Sequence, residues 1–269
     1  MSERVNISNF DGDVRDSENL RRWANRVQPD VVYHLAAVVP TGVAAADQLA
    51  TREVNEFGPQ LVARAVLESA NGKIVRFVYA STSHVYRSDN NRISENGALD
   101  PQNFYAETKL AGEIGLRKIL SENPYLDLVI PRIFSVYSER QAESFLFPSL
   151  MRKIQPKPGP QQVSLPGWNN IRDFLHARQI AELLFLLAKS TLSGVVNLGS
   201  GRGQSVKRFA EELFGSDIQP GENDAHSIPT SLVANPTLIS NAIGTQKFRE
   251  IVNTQNRYNS DTKSFLSPS

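Results

Sequence analysis

Short apolar runs alternate along the chain with segments in which apolar residues recur at helical spacing. The runs at 29–39, 74–83 and 126–137 predict buried parallel strands. The segments at 60–70 and 105–120, which lie between these runs, have apolar residues three and four positions apart and predict helices. Strands and helices in this alternating order predict an α/β fold with a parallel sheet and right-handed crossovers.

The second half of the chain has a less regular pattern. Residues 155–170 are rich in proline and glycine and predict a loop. Residues 172–190 predict a helix, residues 194–201 a short strand and turn, and residues 205–214 a further helix. Ser205 is a candidate N-cap for this last helix, because its hydroxyl can accept a hydrogen bond from the first turn.

Composition narrows the class of protein. The 269 residues include 29 basic and 28 acidic side chains, which are interspersed, so no basic run points to nucleic acid. No apolar run approaches the roughly 18 residues of a membrane span, and residues 1–13 lack the apolar core of a secretory signal. The absence of cysteine excludes disulfides, thiolate catalysis and cysteine-ligated metals. We expect a soluble, cytoplasmic protein.

The four histidines show no metal-ligand spacing. His34 lies within a predicted strand, where we expect a hydrogen-bonded core histidine. His176 is expected to be structural, and His226 lies in a segment with no evident partner. His84 is either a second acid/base, since a histidine has an ordinary pKa near 6.5, or a loop histidine. The sequence therefore predicts no metal site.

A tyrosine and a lysine lie one helical turn apart on the predicted helix at 105–120. Residues i and i+4 share one helix face, so Tyr105 and Lys109 are neighbours there. A free tyrosine has a pKa of ~10, and a nearby ammonium group favours the phenolate and lowers that pKa. The pair is a candidate general acid/base, although the same spacing also occurs in ordinary surface pairs on amphipathic helices.

Hydroxyl groups follow the second predicted strand at its carboxyl end, where open α/β sheets bind ligands. They belong to Ser81, Thr82 and Ser83. Thr82 or Ser81 can hydrogen-bond the oxygen of an alcohol or ketone while Tyr105 exchanges its proton. The remaining hydride needs a nicotinamide cofactor, because protein side chains do not accept hydride. The alternative is that the hydroxyls only cap the strand and the turn that follows it.

Several short motifs occur in an order typical of one family. They are "DGDVRD" (11–16), "VVYHLAA" (31–37), "EVNEFG" (53–58), "ASTSHVY" (80–86), "YAETK" (105–109), "PRIFSVYS" (131–138), "RDFLH" (172–176) and "VVNLGSG" (195–201). Through them the chain resembles the extended short-chain dehydrogenase/reductase family, also called the NAD-dependent epimerase/dehydratase family. Most members of that family act on nucleotide sugars. The resemblance extends from about Asp11 to about residue 245.

The resemblance implies a Rossmann-like, doubly wound parallel sheet with a smaller C-terminal substrate-binding lobe. Residues 1–140 would form a partial dinucleotide-binding domain and residues 141–269 mainly the substrate lobe, with 171–200 returning to the Rossmann domain. The implied ligands are NAD or NADP and a nucleotide-sugar substrate. Members usually dimerise through the helix that carries the Tyr-Lys pair and the helix before it, so a homodimer is implied as well.

The resemblance also assigns roles to individual residues. Tyr105 would be the acid/base, Lys109 would lower the pKa of that tyrosine and bind the nicotinamide ribose, and Thr82 would be the catalytic hydroxyl. The cofactor would further contact Asp13, Val14, Ala36, Ala37, Asn55 and Ser81, and the substrate would contact Ser83, His84 and Arg172. The alternatives are that Asp13 is a plain turn residue and that Arg172 forms only an ion pair with Asp173.

The start of the chain departs from the family pattern. Complete members begin with a strand, a G-x-x-G-x-x-G turn, a helix and a second strand, and this sequence resembles the family only from the third strand on. The turn supplies backbone N–H groups to the cofactor pyrophosphate, and we reject "GSGRG" (199–203) as its counterpart because it follows a late strand. We expect the strand at 31–37 to present an unpaired apolar edge. A non-catalytic relative, acting as a binding or regulatory subunit, is the alternative to an enzyme.

A second departure concerns the reaction. The family's 4,6-dehydratases have an Asp-Glu pair directly after the catalytic threonine, which removes a proton and eliminates water. Ser83 and His84 occupy those positions here. The resemblance therefore favours a 4-epimerase or a 4-keto-sugar reductase over a dehydratase.

Overall fold

The computed structural model describes residues 6–39, 47–154, 161–164, 167–214, 218–220 and 228–254. Its helices are α1 (Ser17–Val27), α2 (Gln48–Arg52), α3 (Gly58–Ser69), α4 (Phe104–Glu122), α5 (Leu146–Lys153), α6 (Ala177–Lys189), α7 (Val206–Phe214), α8 (Thr237–Ile243) and α9 (Thr245–Asn253). Its strands are β1 (Val31–His34), β2 (Val75–Tyr79), β3 (Ser81–Thr82), β4 (Leu126–Ile133), β5 (Ser135–Tyr137), β6 (Gln161–Val163), β7 (Ile171–His176), β8 (Gly194–Leu198), β9 (Gly203–Ser205), β10 (Ile218–Pro220) and β11 (Ser231–Leu232). A π-helical turn, Glu53–Phe57, joins α2 to α3, and a 3₁₀ turn, Ser83–Val85, follows β3.

The chain forms two compact units. The first comprises residues 1–81 and 103–130, and the second comprises residues 82–102 and 131–269. The division into a dinucleotide-binding domain and a substrate lobe at residue 140 stays a prediction. None of the helices that the structure describes has the length and apolar character needed to cross a membrane.

The first unit contains a parallel sheet. Strand β1 pairs with β2 in the register Val31 to Arg76, and β2 pairs with β4 in the register Val75 to Leu126. Helices α3 and α4 lie between these strands in the chain, and the side chain of Phe77 in the middle strand is fully buried. The predicted α/β fold with a parallel sheet is confirmed.

Strand β1 differs from the buried strand predicted at 29–39. It is shorter, and its residues alternate, with Val32 and His34 buried while Val31 and Tyr33 are 40% and 39% exposed. Alternation of this kind means that one face of the strand is covered and the other faces solvent. Within the described residues β1 is the terminal strand of its sheet, as expected for an edge, and the apolar Leu35 after it is also exposed.

Helix α4 begins where its sequence provides a cap. The side-chain oxygen of Asn103 accepts a hydrogen bond from the backbone N–H of Ala106 at 2.9 Å, which satisfies one of the amide groups left free at a helix start. The predicted helix at 105–120 is confirmed and is slightly longer, Phe104–Glu122. The cap fixes the first turn of the helix, which is the turn that carries Tyr105.

The second unit is built around two small sheets and an aromatic core. Strands β11, β7 and β5 are parallel neighbours, with β9 antiparallel to β7, and β6 pairs with β10. The rings of Phe174 and Phe209 stack with their centroids 3.8 Å apart. Trp168 is fully buried beside them in the same cluster, and its indole N–H donates to the carbonyl of Val163 at 2.9 Å.

The predicted helix at 172–190 is wrong in its first five residues, which belong to strand β7. The helix starts only at Ala177 because His176 caps it. The Nδ1 atom of His176 accepts from the N–H of Arg178 at 3.2 Å, and the side chain of Gln179 accepts from the N–H of His176 at 2.8 Å. This reciprocal arrangement is a capping box, with histidine in the position usually taken by serine or threonine.

Two other expectations for the second unit have different outcomes. The loop predicted at 155–170 contains a strand, β6, in its described part, because those residues pair with β10. Ser205 is confirmed as the N-cap of α7, since its hydroxyl oxygen accepts from the N–H of Arg208 at 3.1 Å. In addition, α1, α2, α5, α8 and α9 were not predicted.

His34 is buried, as expected, but it is not a fully hydrogen-bonded core histidine. Its ring packs beside Phe77 and Tyr79 at centroid distances of 6.1 and 5.8 Å, and Nε2 has no hydrogen-bond partner among the described residues. Burial, reinforced by the charge of Lys109, lowers the pKa of His34 to about 3. The native protein therefore holds this imidazole in its neutral form.

We predict that His34 makes the protein sensitive to acid. The unfolded chain binds a proton at the ordinary pKa of 6.5, whereas the folded protein binds it only near pH 3, so stability falls as the pH decreases between these values. We compare urea unfolding of His34→Leu and the wild type between pH 6 and pH 4. As the pH decreases, the free energy of unfolding should fall less steeply in His34→Leu, and the two slopes should differ by about 1.4 kcal/mol per pH unit. Tyr33→Leu, on the exposed face of the same strand, should keep the wild-type slope. Equal slopes in His34→Leu and the wild type would contradict the prediction.

Candidate active site

Tyr105 and Lys109 lie on one face of α4, one turn apart. Lys109 is only 1% exposed, and Tyr105 is partly buried. The alternative of two ordinary surface residues on an amphipathic helix therefore does not describe this lysine. A lysine side chain is almost never buried to this extent unless it is paired or has a function.

An aromatic ring faces the ammonium group of Lys109. The Nζ atom lies 4.1 Å from the ring centroid of Tyr79, a cation–π contact. The hydroxyl of Tyr79 donates to the carbonyl of Asn55 at 3.1 Å, with the carbonyl of Lys109 3.3 Å away. A Cβ atom at Gly112 would collide with this hydroxyl, which explains a glycine within the helix at that point. No sequence pattern pointed to Tyr79 as part of the site, because this residue lies in an apolar strand.

Burial sets the charge of Lys109. It lowers the pKa of this lysine from 10.5 to about 7, and the carboxylate of Glu113 acts in the opposite direction. The ammonium and the neutral amine are thus similarly populated near neutral pH. Small changes in the surroundings of Lys109 will change which form dominates.

Burial also governs Tyr105, in the direction opposite to the one expected. It raises the pKa of Tyr105 to about 12, whereas we predicted that Lys109 would lower it. Burial has this effect because the phenolate loses its hydration inside the protein, and the lowering expected from Lys109 stays a prediction. Proton transfer by Tyr105 would need additional stabilisation of the phenolate.

Asn55 lies in the π-helical turn and is fully buried. Its side-chain amide donates to the carbonyl of Val38 at 2.8 Å and to the hydroxyl of Thr108 at 3.1 Å, and its oxygen accepts from the N–H of Val38 at 2.8 Å. The side chain therefore joins the segment after β1 to helix α4. That segment carries Ala36 and Ala37, which are exposed.

Asp13 and Val14 lie in a turn before α1. The N–H of Asp16 donates to the carbonyl of Asp13 at 3.0 Å, and the carboxylate of Asp13 pairs with Arg15 at 2.6 Å, which lowers its pKa to about 2. The turn and this exposed ion pair agree with the alternative of a plain turn residue. Val14 lies against the first residue of α3, since a Cβ atom at Gly58 would be 2.9 Å from its Cγ2.

Ser81, the last residue of the first unit before the chain enters the second, is 4% exposed. Its hydroxyl donates to Oε1 of Glu113 at 2.5 Å. This hydrogen bond was not predicted. Glu113 is one more turn along α4 from Lys109, so the spacing of four residues was available as a signal.

Thr82, Ser83 and His84 begin the second unit. Thr82 and Ser83 are buried, and the Oγ1 atom of Thr82 accepts from the N–H of His84 at 3.2 Å. His84 itself is exposed; partial desolvation and the charge of Arg172 lower its pKa, so it is neutral at pH 7. The alternative that these hydroxyls cap the turn agrees with this bond for Thr82, and a hydroxyl that accepts one hydrogen bond keeps its O–H as a donor.

Arg172 does not form the ion pair considered as its alternative. Its guanidinium donates to the carbonyl of Thr230 at 2.9 Å and to the hydroxyl of the same residue at 2.8 Å. The carboxylate of Asp173 instead accepts from the N–H groups of Ser200 and Gly201, each at 2.8 Å. The N–H groups of Ser200 and Gly201 in the "GSGRG" turn therefore already bind a carboxylate of the chain itself. This supports the rejection of that turn as a dinucleotide-binding turn.

The sequence matches the model of the GDP-mannose 4,6 dehydratase family over residues 1–257. The chain belongs to this family. The match confirms the resemblance to nucleotide-sugar-modifying dehydrogenases that the ordered motifs indicate.

Similar proteins include dehydratases and epimerases. A dTDP-D-glucose 4,6-dehydratase of Bos taurus is 25% identical over 217 residues, which cover 80% of this chain and 59% of the relative. An uncharacterized UDP-glucose epimerase of Bacillus subtilis, YtcB, is 33% identical over 190 residues, which cover 66% of this chain and 55% of the relative. The chain thus spans less than two thirds of the length of these relatives.

Solved structures share the fold. UDP-glucose 4-epimerase of Thermus thermophilus, in complex with NAD, has a TM-score of 0.70 at 24% identity, over 90% of this chain and 81% of the other. RMD of Pseudomonas aeruginosa, complexed with NADPH, has a TM-score of 0.73 at 21% identity, over 92% and 89% of the two chains. These likenesses confirm the Rossmann-like α/β fold.

This member of the GDP-mannose 4,6 dehydratase family has no group of three or more histidines and carboxylates suited to a metal ion within its described residues. His176 bonds instead with Glu139 at 3.1 Å. His226 lies outside the described residues.

We predict that one lysine of the protein titrates near neutral pH. In ¹³C NMR of protein labelled at lysine Cε, one resonance should titrate with a midpoint of about 7, because Lys109 is buried. The resonance should be lost in Lys109→Met and kept in Lys118→Met, which removes an exposed lysine of the same helix. A spectrum in which every lysine titrates above pH 9 would contradict this.

Proposed function

We propose that this chain carries the proton-transferring part of an NAD(P)-dependent nucleotide-sugar 4-epimerase or 4-keto-sugar reductase. The observation that carries the proposal is the buried Lys109 one helical turn after Tyr105, in a member of a nucleotide-sugar-modifying family. A buried, titratable lysine beside a tyrosine is arranged for proton exchange, and is costly for stability alone.

The donor set of α4 fits the ribose end of a nicotinamide dinucleotide. A phenol and an ammonium group one turn apart both donate hydrogen bonds, which suits sugar hydroxyls. When bound, the cofactor would supply the acceptor and donor of the hydride. Relatives in complex with NAD and with NADPH support this assignment without choosing between the two. The further cofactor contacts implied for Asp13, Val14, Ala36, Ala37, Asn55 and Ser81 are proposed on the same resemblance.

The chain's own residues then divide the work. Tyr105 takes a proton from the sugar hydroxyl, or returns one to the ketone, as the hydride moves. Lys109 in its ammonium form stabilises the phenolate of Tyr105 against its burial. Thr82 donates a hydrogen bond to the reacting oxygen and holds it in place. Arg172 contacts the nucleotide diphosphate, for which a guanidinium is well shaped.

The residues after Thr82 favour epimerisation or reduction over loss of water. Elimination of water requires a group that removes a proton and a group that protonates the departing hydroxyl. Ser83 has no titratable group near neutral pH, and His84 is neutral at pH 7 because its pKa is lowered. We therefore propose that both contact the substrate and that neither acts in elimination. The homodimer implied by the resemblance and the cytoplasmic location expected from the composition stay predictions.

The direct test is incubation of the protein with NAD(H) or NADP(H) and a nucleotide sugar. UDP-glucose and dTDP-glucose test epimerisation, and a dTDP-4-keto-6-deoxy sugar tests reduction, with NMR and mass spectrometry of the products. We expect a change of configuration at C4 or reduction of the ketone. A product that has lost water would contradict the proposed reaction. Absence of NADH and NADPH binding in a titration would contradict the enzyme and leave the non-catalytic alternative.

We predict that Tyr105→Phe lowers kcat by roughly 10²- to 10⁴-fold, the range of a general acid/base, while NADH binding stays within a few-fold of the wild type. Phenylalanine keeps the ring that packs on α4 and removes only the hydroxyl. Tyr125→Phe, which removes an exposed hydroxyl elsewhere in the first unit, serves as the control and should keep full activity. Unchanged turnover in Tyr105→Phe would remove Tyr105 from the mechanism.

A further inference from the structure

A third residue of α4 continues the series formed by Tyr105 and Lys109. Glu113 lies four residues after Lys109, so the three side chains follow one face of the helix. Its side chain is 1% exposed. A carboxylate is almost never buried to this extent without partners, because it loses its hydration.

The contacts of the Glu113 carboxylate include Ser81 and Arg117. The hydroxyl of Ser81 donates to Oε1 at 2.5 Å, and the guanidinium of Arg117 lies 3.6 Å from Oε2. Arg117 is half exposed, so its charge is partly screened by solvent. The short bond to Ser81 joins the end of the hydroxyl strand to the helix that carries Tyr105 and Lys109.

The electrostatic partner of Glu113 inside the protein is Lys109. Burial drives Lys109 towards the neutral amine, and the charge of Glu113 opposes this. A carboxylate that only held one serine would lose hydration free energy without need, because a neutral group can accept the same hydrogen bond. Burial of the Glu113 carboxylate is explained if its negative charge favours the protonated form of the nearby Lys109.

The other groups around Lys109 do not supply that charge. Strand β1 presents His34, which is neutral because its pKa is lowered, and β2 presents Tyr79, whose pKa is raised by burial and by Glu113. Tyr105, on α4 itself, also has a raised pKa. From the π-helical turn, the fully buried Asn55 contributes an uncharged amide.

The neighbouring helices present further groups towards α4, and Glu56, an acidic group of the π-helical turn beside them, is paired with Arg52 at 2.6 Å. Helix α2 presents Arg52, a cation that lies 5.5 Å from the ring of Phe104. From α3, Gln60 presents a neutral amide against Gly115.

We propose that Glu113 is a positioning residue for the Tyr105–Lys109 pair: it fixes Ser81 against α4 and favours the ammonium form of the buried Lys109. Its consequence for turnover rests on the proposed function. Its effect on the charge of Lys109 does not, because that effect depends only on the geometry of the first unit.

The test compares Glu113→Gln with Glu107→Gln. Glutamine keeps the shape of the side chain and an oxygen that accepts from Ser81, and it removes only the charge. Glu107 lies on the exposed side of the same helix, so its replacement is a matched loss of one charge. In ¹³C NMR of lysine Cε, the titration midpoint of Lys109 should fall by at least about 0.5 pH unit in Glu113→Gln, roughly a threefold change in the ratio of amine to ammonium, and should stay unchanged in Glu107→Gln.

Two further measurements separate a charge effect from a structural one. Glu113→Asp restores the charge and should return the Lys109 midpoint towards the wild-type value. A merely structural role would lower the urea midpoint of Glu113→Gln and leave the titration of Lys109 where it was, which would overturn the proposal. If Glu113→Gln does not fold, ¹³C NMR of the wild-type glutamate carboxyl groups provides the test: Glu113 must be ionised at pH 7, and a protonated carboxyl would overturn the proposal.

Activity provides an independent readout. In Glu113→Gln the decline of kcat at high pH should begin at a lower pH, with KM within about threefold of the wild type, because the ammonium form of Lys109 is lost earlier. An inactive wild type would contradict the proposed function while leaving the NMR result valid. A pH profile that does not change in Glu113→Gln would contradict the positioning role.

Discussion

The arrangement of the first unit's candidate residues depends on holding one ammonium group inside the protein. Lys109 is 1% exposed, and its pKa in the folded chain is about 7 instead of 10.5. The unfolded chain binds that proton more strongly than the folded protein does. Burial of Lys109 therefore lowers the free energy of unfolding, with its full effect below pH 7, and this destabilisation declines between pH 7 and 10.5 and is absent above that range. The ring of Tyr79 and the carboxylate of Glu113 offset part of it. A stability cost at a single residue, partly offset by residues placed around it, is typical of a functional site.

The parts of the fold that were predictable from the sequence have local signals. The helix with Tyr105 and Lys109 has a cap at Asn103 and a regular apolar stripe, and these hold wherever the helix packs. The exposed face of β1 and the start of α6 have no such signal. Exposure of β1 depends on which elements cover the sheet. Residues 171–190 mix apolar and polar positions with no proline or glycine between them, and the pairing of β7 with its neighbours divides this segment into strand and helix.

The candidate site also has features that were predictable from local sequence signals and features that were not. Spacing was sufficient to place Tyr105 and Lys109 on one face of the helix. The same spacing places Glu113 on that face, but its burial was not predicted, because a glutamate on a helix ordinarily faces solvent. The directions of the pKa changes could not be predicted from the sequence, because desolvation depends on how the side chains pack. For Tyr105 this reversed the expected direction. Asn55 shows a related limit: its motif suggested a ligand contact, which stays a proposal, and nothing in the sequence predicted that its amide also holds the backbone of Val38.

Membership of a family named for dehydration does not decide which reaction this chain supports. Hydride and proton exchange at one carbon needs an acid/base, a group that adjusts it and a donor to the oxygen, and Tyr105, Lys109 and Thr82 supply these types of group. Water loss needs a further acid and base, and the two positions after Thr82 provide a serine and a neutral histidine. In the proposed function, hydride and proton exchange therefore depends on Tyr105, Lys109 and Thr82, whereas the choice among reactions depends on Ser83 and His84. At those two positions the chain departs from the Asp-Glu pair of the dehydratases, and this departure is the basis of the proposed epimerase or ketoreductase reaction.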